Sequence, residues 1–188
     1  IRDRYRRNDG RYDCLIPGSG GKDSFMQAHL LKYKYGMNPL TVTWAPHKYT
    51  EIGWKNFENW IHEGGLDNVL FTPNGKLHRY LTKEAFTNLL HPFQPFIVGQ
   101  RIIGPMMAAK FNVKLVFYGE NQAEYGNNVD ENYTPTMDKK FFSVDDPMDI
   151  MLGGKSIRDI ISETDFKLND FKPYIPPKAE YLESKGVE

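Results

Sequence analysis

The chain has 188 residues, of which 40 % are hydrophobic and 14 % aromatic, a composition typical of one packed domain and not of a disordered chain. Its 24 basic and 24 acidic residues balance, which argues against an extended nucleic-acid surface. The single cysteine, Cys14, excludes an intrachain disulfide and a Cys-x-x-Cys metal site, and no segment resembles a signal peptide or a membrane span. We therefore expect a cytoplasmic protein that contacts no membrane.

Residues 1–12 and 13–188 differ in character. Five arginines fall within residues 1–11, a pattern that predicts a solvated N-terminal arm or helix ahead of one domain over 13–188. The chain begins without methionine and ends just after a predicted helix that closes on Gly186. Both features lead us to expect a piece of a longer protein.

Short apolar runs alternate with helical patterns. The predicted strands are Cys14–Ile16, Leu40–Trp44, Asn68–Thr72 and Val113–Tyr118. The predicted helices span 23–35, 50–64 with Thr50 as N-cap, 77–90 and 96–111, and Pro105 is expected to split or kink the last of them. This order predicts the α/β class, with a mostly parallel Rossmann-like sheet and helices on both faces. Ligands of such folds bind beyond the carboxyl ends of the strands.

The last third of the chain has a weaker pattern. Residues 119–148 are polar and read as a long loop, residues 156–163 as a helix, and residues 172–178 as an extended connector into a final helix. The triplet Gly154-Lys155-Ser156 lacks the first glycine and the preceding strand of a Walker loop, so we interpret it as a loop and a helix start.

A glycine-rich segment, Pro-Gly-Ser-Gly-Gly-Lys-Asp-Ser at 17–24, lies between the first predicted strand and the first long helix. Glycines let the backbone approach a phosphate closely, and the first N–H groups of the following helix form an anion site. The candidate ligands for phosphate are the backbone of Gly20 and Gly21, the hydroxyls of Ser19 and Ser24, and the ammonium of Lys22.

Asp23 is the unexpected member of this segment, because a carboxylate repels phosphate unless a cation lies between them. Its position predicts Mg²⁺ bridging Asp23 and phosphate oxygens. The alternative is an ordinary glycine-rich turn in which Asp23 caps the helix.

Ser19–Ser24 resembles the signature of the PP-loop (N-type ATP pyrophosphatase) superfamily. The resemblance implies an adenine nucleotide alpha hydrolase-like fold with ATP and Mg²⁺ as cofactors. It also implies the release of AMP and pyrophosphate, and the adenylation of a substrate oxygen that a nucleophile then displaces.

The wider sequence resembles the N-acetyl sugar amidotransferases of surface-polysaccharide and flagellin-sugar biosynthesis. The stretches that carry this resemblance are 5–10, 34–42, Gly99–Arg101, Gly119–Asn121 and Glu124–Gly126. It implies that an acetamido group on a nucleotide-linked sugar becomes an acetamidino group, with ammonia from a glutaminase-type protein partner.

Two departures from these families matter. Gly18 stands where the superfamily commonly has a bulkier residue such as valine, so we expect a looser loop. The cysteine pairs that family members carry upstream are absent, so we expect no metal other than Mg²⁺.

Further candidate residues follow the predicted strands. Glu120 is a candidate catalytic residue and second Mg²⁺ ligand, or a simple loop acid. Thr43, Trp44 and Gly119 are candidate ATP contacts at strand ends, the first two near the adenine. The candidate substrate contacts are Arg101, Asn121 and Glu124, although Arg101 could equally be an exposed helix residue. His47 faces either the nucleotide or solvent, and we expect Phe93, Phe96 and Tyr80 to serve in packing and not as a platform for a sugar.

The sequence leaves two rival functions open. One is a PP-loop enzyme that thiolates or aminates a tRNA base, which the neutral charge and the lack of a cysteine pair disfavour. The other is a nucleotide-binding module that is inactive without further segments.

Overall fold

The computed structural model describes residues 1–119, 144 and 146–188. Its central sheet has four parallel strands in the order β3-β2-β1-β4. The elements of the first part are α1 (Arg2–Tyr5), β1 (Cys14–Pro17), α2 (Lys22–His29) with a π-helical turn (Leu30–Lys34), β2 (Pro39–Trp44), α3 (Glu51–Ile61), β3 (Asp67–Phe71), α4 (Gly75–Leu89), α5 (Gln94–Phe111) and β4 (Leu115–Val116). Those of the last part are a 3₁₀ turn (Pro147–Asp149), β5 (Met151–Leu152), β6 (Lys155–Ser156), α6 (Ile157–Glu163), a 3₁₀ segment (Leu168–Tyr174) and α7 (Ala179–Lys185).

Helices cover both faces of the sheet, which confirms the predicted α/β class. On one face α2 and α3 pack against Cys14 and Ile16 of β1. On the other face α4, α5 and the C-terminal segment pack against Leu15 of β1 and against Leu40 and Val42 of β2. Successive side chains of β1 thus lie on opposite faces of the sheet, which is the period of two of a β-strand, and both faces are buried. The carboxyl ends of the strands therefore form one open edge, where the glycine-rich segment lies.

The predicted strand Val113–Tyr118 is wrong in length, because only Leu115–Val116 pairs as β4. Phe117 N still donates to Leu15 O at 2.9 Å. The next rung of a parallel ladder would need an N–H from residue 17, and Pro17 has none. The apolar run therefore continues to Tyr118, although only Leu115–Val116 pairs with β1.

Pro105 does not split its helix, since α5 continues across it from Gln94 to Phe111. A proline inside a helix leaves the carbonyl four residues earlier without its usual donor. Here that carbonyl belongs to Arg101, and Tyr118 Oη donates to it at 3.1 Å. A side chain from the end of β4 thus replaces the missing backbone hydrogen bond.

The N-terminal arm is mostly exposed and contains the short helix α1, as predicted, and two of its arginines also contact the rest of the domain. Arg6 donates to Gly36 O at 2.9 Å and Arg7 to Asn112 O at 2.8 Å, so these arginines cap carbonyls at the amino edge of the sheet. Buried Asp13 accepts from the backbone N–H groups of Arg7 and Asn38. Arg6 and Arg7 therefore have structural roles at the amino ends of the strands, whereas the glycine-rich segment lies at the carboxyl ends.

The triplet Gly154-Lys155-Ser156 belongs to a β-hairpin formed by β5 and β6. Lys155 Nζ lies 3.1 Å from a carboxylate oxygen of Glu84 and 2.6 Å from one of Glu163. Ser156 Oγ accepts from Asp159 N and caps α6. These contacts agree with the interpretation of the triplet as a helix start. In the part of the chain that the structure describes, no helix has the length and apolarity to cross a membrane.

Candidate nucleotide-binding site

The glycine-rich segment is a strand-to-helix turn at the carboxyl end of β1, as predicted. We call residues 18–24 the phosphate loop. Phe25 N donates to Gly21 O at 2.9 Å, the first hydrogen bond of α2. The N–H groups of the three preceding residues are therefore left without helical partners and are available to a ligand. This is the arrangement that makes a helix N-terminus an anion site.

Gly20 determines the path of the loop. Its φ is +80°, a conformation that residues with a side chain rarely adopt. A Cβ at this position would lie 2.8 Å from Asn56 O and 3.2 Å from Phe57 Cα, both backbone atoms of α3. The loop thus lies directly on α3, and only glycine fits there.

Gly18 is as tightly packed, which corrects the expectation of a looser loop. A Cβ at Gly18 would lie 2.5 Å from Ser24 Cβ and 2.9 Å from the ring of Trp60. Trp60 is fully buried. Its indole occupies the space that a larger residue at position 18 would need.

We expect Gly18→Val to destabilise the fold by about 2 kcal/mol or more, because overpacking a rigid site forces neighbours to move. Urea unfolding followed by circular dichroism measures the change. A Gly18→Val protein as stable as the parent would contradict the packing described for Trp60.

Lys22 and Asp23 are the exposed charges of the loop. The side chain of Lys22 is 91 % exposed and that of Asp23 is 59 % exposed, and Lys22 Nζ lies 4.0 Å from Asp23 Oδ1. A weak ion pair in water contributes little to stability. Both groups are therefore accessible to an approaching ligand, as their predicted roles require.

Ser24 and Thr43, two other predicted ligands, form hydrogen bonds that fix the position of the loop. Ser24 is buried, and its Oγ donates to Gly21 O at 3.1 Å. Thr43, also buried, donates through Oγ1 to Gly18 O at 2.7 Å and accepts from Asn68 Nδ2 at 3.0 Å. The side chain of Thr43 is thus used to position the loop, and Asn68 of β3 is a positioning residue that the sequence analysis did not identify.

The end of β4 also reaches the loop. A Cβ on Gly119 would lie 3.2 Å from Ser24 N, so the backbone at Gly119 is in contact with the first turn of α2. Arg101 is exposed on α5 and supplies the carbonyl that Tyr118 binds. The predicted residues Glu120, Asn121 and Glu124 lie outside the described residues.

An aromatic surface lies beyond the end of β2, on the α4/α5 side of the sheet. It consists of His47, Phe93 and Phe96, with the ring centroid of His47 6.1 Å from that of Phe93 and 5.7 Å from that of Phe96. Phe96 is partly buried against the core, as its predicted packing role requires, whereas Phe93 is 57 % exposed. Because position 47 lies far from 93 and 96 in the sequence, no local pattern could have indicated this surface.

Buried polar groups lie directly beneath the aromatic surface. The ring of His78 lies 4.5 Å from that of His47, and its Nδ1 is 2.6 Å from Tyr174 Oη. The rings of Trp44 and Tyr174 are also in contact, with centroids 5.4 Å apart. His78 Nε2 and Trp44 Nε1 are buried without a hydrogen-bond partner within the described residues. Trp44, a predicted ATP contact, is therefore a buried support in this structure.

Burial, together with a smaller effect of the charge that His47 can carry, lowers the pKa of His78 from 6.5 to about 4. Between these two pKa values, the unfolded chain therefore binds a proton at His78 that the native state does not bind. Stability should fall as pH decreases from 6.5 towards 4, by up to about 3 kcal/mol if the whole shift is expressed.

Urea unfolding at a series of pH values tests this prediction. A His78→Gln protein, which has no imidazole to protonate, should show a flatter dependence over the same range. Identical slopes for the two proteins would contradict the burial of a neutral His78.

Comparison with the models of known protein families gives no match. Among curated proteins, an uncharacterized protein of Methanocaldococcus jannaschii is 46 % identical to this chain over 37 residues. That stretch is 20 % of this chain and 13 % of the relative. The match thus spans a small part of both proteins, and the name of the relative assigns no activity.

Proposed function

We propose that this chain is an ATP-dependent amidotransferase domain. It cleaves ATP to AMP and pyrophosphate, adenylates the carbonyl oxygen of an N-acetyl group on a nucleotide-linked sugar, and replaces that oxygen with nitrogen from ammonia. The observation that carries the proposal is the phosphate loop, which Thr43 and α3 hold at the carboxyl edge of a parallel sheet. The sugar and a glutaminase-type partner that supplies ammonia follow from the sequence resemblance.

The loop offers the phosphates three kinds of contact. The N–H groups at the start of α2 donate hydrogen bonds, and the dipole of the helix favours negative charge there. The ammonium of Lys22 adds a mobile positive charge. Ser19 is exposed beside it and can donate through its hydroxyl.

The residues present fit a Mg²⁺ ion. Mg²⁺ in nucleotide sites is held by one or two carboxylates together with phosphate oxygens. The carboxylate of Asp23 is more than half exposed and lies at the start of α2, beside the proposed phosphates. When bound, the ion would neutralise charge that develops on the phosphates.

The aromatic surface is suited to the adenine of the same nucleotide. Thr43 contacts the loop, and the chain then continues from β2 to His47, so phosphate and base sites lie on neighbouring strand ends. An exposed phenyl ring such as that of Phe93 gives a purine a flat apolar surface for stacking.

We expect Phe93→Ala to weaken ATP binding about tenfold, which corresponds to about 1.4 kcal/mol of lost stacking. Phe86→Ala is the matched control, because Phe86 is 60 % exposed and lies on α4, outside the aromatic surface. Isothermal titration calorimetry with ATP and Mg²⁺ compares the two proteins. Equal ATP affinity of both variants would contradict the placement of adenine on this surface.

The reaction can be written so that every atom is accounted for. The amide oxygen attacks the α-phosphorus of ATP and pyrophosphate leaves, so an oxygen–phosphorus bond forms and another breaks. Ammonia then adds to the activated carbon, a proton is lost, and AMP leaves with the former amide oxygen. The products are an acetamidino group, AMP and pyrophosphate. The loop contributes by fixing the phosphates in line for the first step.

An isotope experiment tests this sequence of bonds. A nucleotide-linked acetamido sugar labelled with ¹⁸O in the acetamido carbonyl is incubated with the protein, ATP, Mg²⁺ and ammonia. The proposal predicts that the label is recovered in AMP. AMP that carries no label would show that the carbonyl oxygen is not the group adenylated.

A further inference from the structure

A cavity of about 570 Å³ opens beside the phosphate loop on the α2/α3 side of the sheet. It is lined by Gly20, Lys22, Phe25, Met26, His29 and Asn56. It is a shallow depression that is largely open to solvent, with a volume in the range of sites that hold small molecules. We call it the α2 cavity.

The apolar part of the α2 cavity is partly exposed to water. The α2 residues that line it recur at 22, 25, 26 and 29, the spacing of one helix face, and Phe25 also packs against the core. The opposite face of α2 buries Ser24 and Ala28. Met26 remains 58 % exposed next to the partly buried Phe25, so water contacts apolar surface here.

The charge of the α2 cavity favours an anion. Its six residues include His29 and the cation Lys22, whose Nζ also lies 4.0 Å from Asp23 Oδ1, and none of the six is acidic. Lys22 lies at the end next to the phosphate loop, and His29 lies two helical turns further along α2. A ligand that spans the cavity can place negative charge near either side chain and an apolar face on Met26.

The α2 cavity adjoins the phosphate loop without containing the aromatic surface. Gly20 and Lys22 belong to both the loop and the cavity. The aromatic surface lies on the other face of the sheet, next to α4 and α5. ATP bound with its base on that surface and its phosphates at the loop would therefore leave the part of the cavity formed by Phe25, Met26 and His29 free for a second molecule.

We propose that the α2 cavity binds the second substrate, an organic anion with an apolar face. His29 contacts its anionic group and Phe25 and Met26 contact its apolar face, while Lys22 lies between this ligand and the phosphates of ATP. This inference rests on the proposed function, in which a second molecule must lie beside the phosphates of ATP.

The probe for this site is UDP-N-acetylglucosamine, which combines a diphosphate with a sugar and a base. Its affinity is measured by ligand-observed NMR in the presence of Mg²⁺ and a non-hydrolysable ATP analogue. We expect Met26→Glu to weaken probe binding at least tenfold while the affinity for the ATP analogue stays within twofold. His29→Glu should have the same effect, because it also adds negative charge to the cavity.

Met151→Glu is the matched control. Met151 is 53 % exposed, close to the exposure of Met26, and it lies on β5 away from the cavity. Probe binding that is unchanged in Met26→Glu and His29→Glu, or equally weakened in Met151→Glu, overturns the inference. A wild-type protein that binds the ATP analogue but not the probe also overturns it.

These outcomes are distinct from a failure of the proposed function. Probe binding that depends on Met26, in a protein that releases no AMP, would support the cavity as a site and refute the reaction. AMP release with probe binding that is independent of Met26 would support the reaction and refute the cavity as the site.

Discussion

Replacing Asp23 with asparagine is expected to reduce AMP formation about 1000-fold, equivalent to about 4 kcal/mol of transition-state stabilisation. Asparagine keeps the shape of the side chain and removes the negative charge that would hold Mg²⁺. The fold should be retained, because Asp23 is 59 % exposed and pairs only loosely with Lys22. Loss of a favourable helix-dipole contact should cost less than about 1 kcal/mol.

AMP is measured by anion-exchange chromatography after incubation with ATP, Mg²⁺, ammonia and an acetamido sugar nucleotide. Asp3→Asn is the control, because Asp3 also lies in the first turn of a helix and its side chain is 83 % exposed. Undiminished turnover in Asp23→Asn would contradict the assignment of this carboxylate to Mg²⁺. A similar loss in Asp3→Asn would show that the effect is not specific to the loop.

Replacing Gly20 with alanine is expected to abolish measurable ATP binding and to lower stability by about 2 kcal/mol or more. Two costs add at this position. The backbone conformation at φ +80° is unfavourable for alanine, and the new methyl group would lie 2.8 Å from a backbone carbonyl oxygen of α3. The carbonyl of Asn56 is part of a helix and cannot move aside cheaply, so the loop must shift.

Gly21→Ala separates this steric effect from any general sensitivity of the loop. Gly21 has a φ of −65°, and the nearest atom to a Cβ there is Ser19 Oγ at 3.9 Å. The folding stability of Gly21→Ala should therefore stay within about 1 kcal/mol of the parent, a loss that reflects only the poorer N-cap propensity of alanine. Equal unfolding midpoints for the Gly20 and Gly21 variants would contradict the described loop conformation.

Local sequence patterns were sufficient for most of the sheet. The strands β1, β2 and β3 begin and end within a residue of their predicted bounds, because each is a short apolar run closed by proline or glycine nearby. The position of the phosphate loop follows from the same logic, since it needs only a strand, glycines and a helix start.

Long-range contacts explain where sequence reasoning failed. The continuity of α5 depends on Tyr118, which replaces the hydrogen bond that Pro105 cannot make. The length of β4 depends on a proline in its neighbour. The aromatic surface joins the end of β2 to the start of α5. Each involves residues that lie well apart in the chain, so no local period could reveal it.

The same limit applies to the support of the phosphate loop. Asn68 of β3 contacts Thr43 of β2, and Thr43 contacts Gly18. The chain of hydrogen bonds crosses three segments and depends on the parallel register of β2 and β3. Strand propensity alone assigns Thr43 to a strand and says nothing of its partners.

The most direct test of the central claim is to identify the products of ATP cleavage by phosphorus NMR. The protein is supplied with ATP, Mg²⁺, ammonia and a nucleotide-linked diacetamido sugar, and the sugar's mass is recorded in parallel. The proposal predicts AMP and pyrophosphate in equal amounts, together with the exchange of one sugar oxygen for an NH group. ADP and phosphate as the products, or AMP with an unchanged sugar, would contradict it.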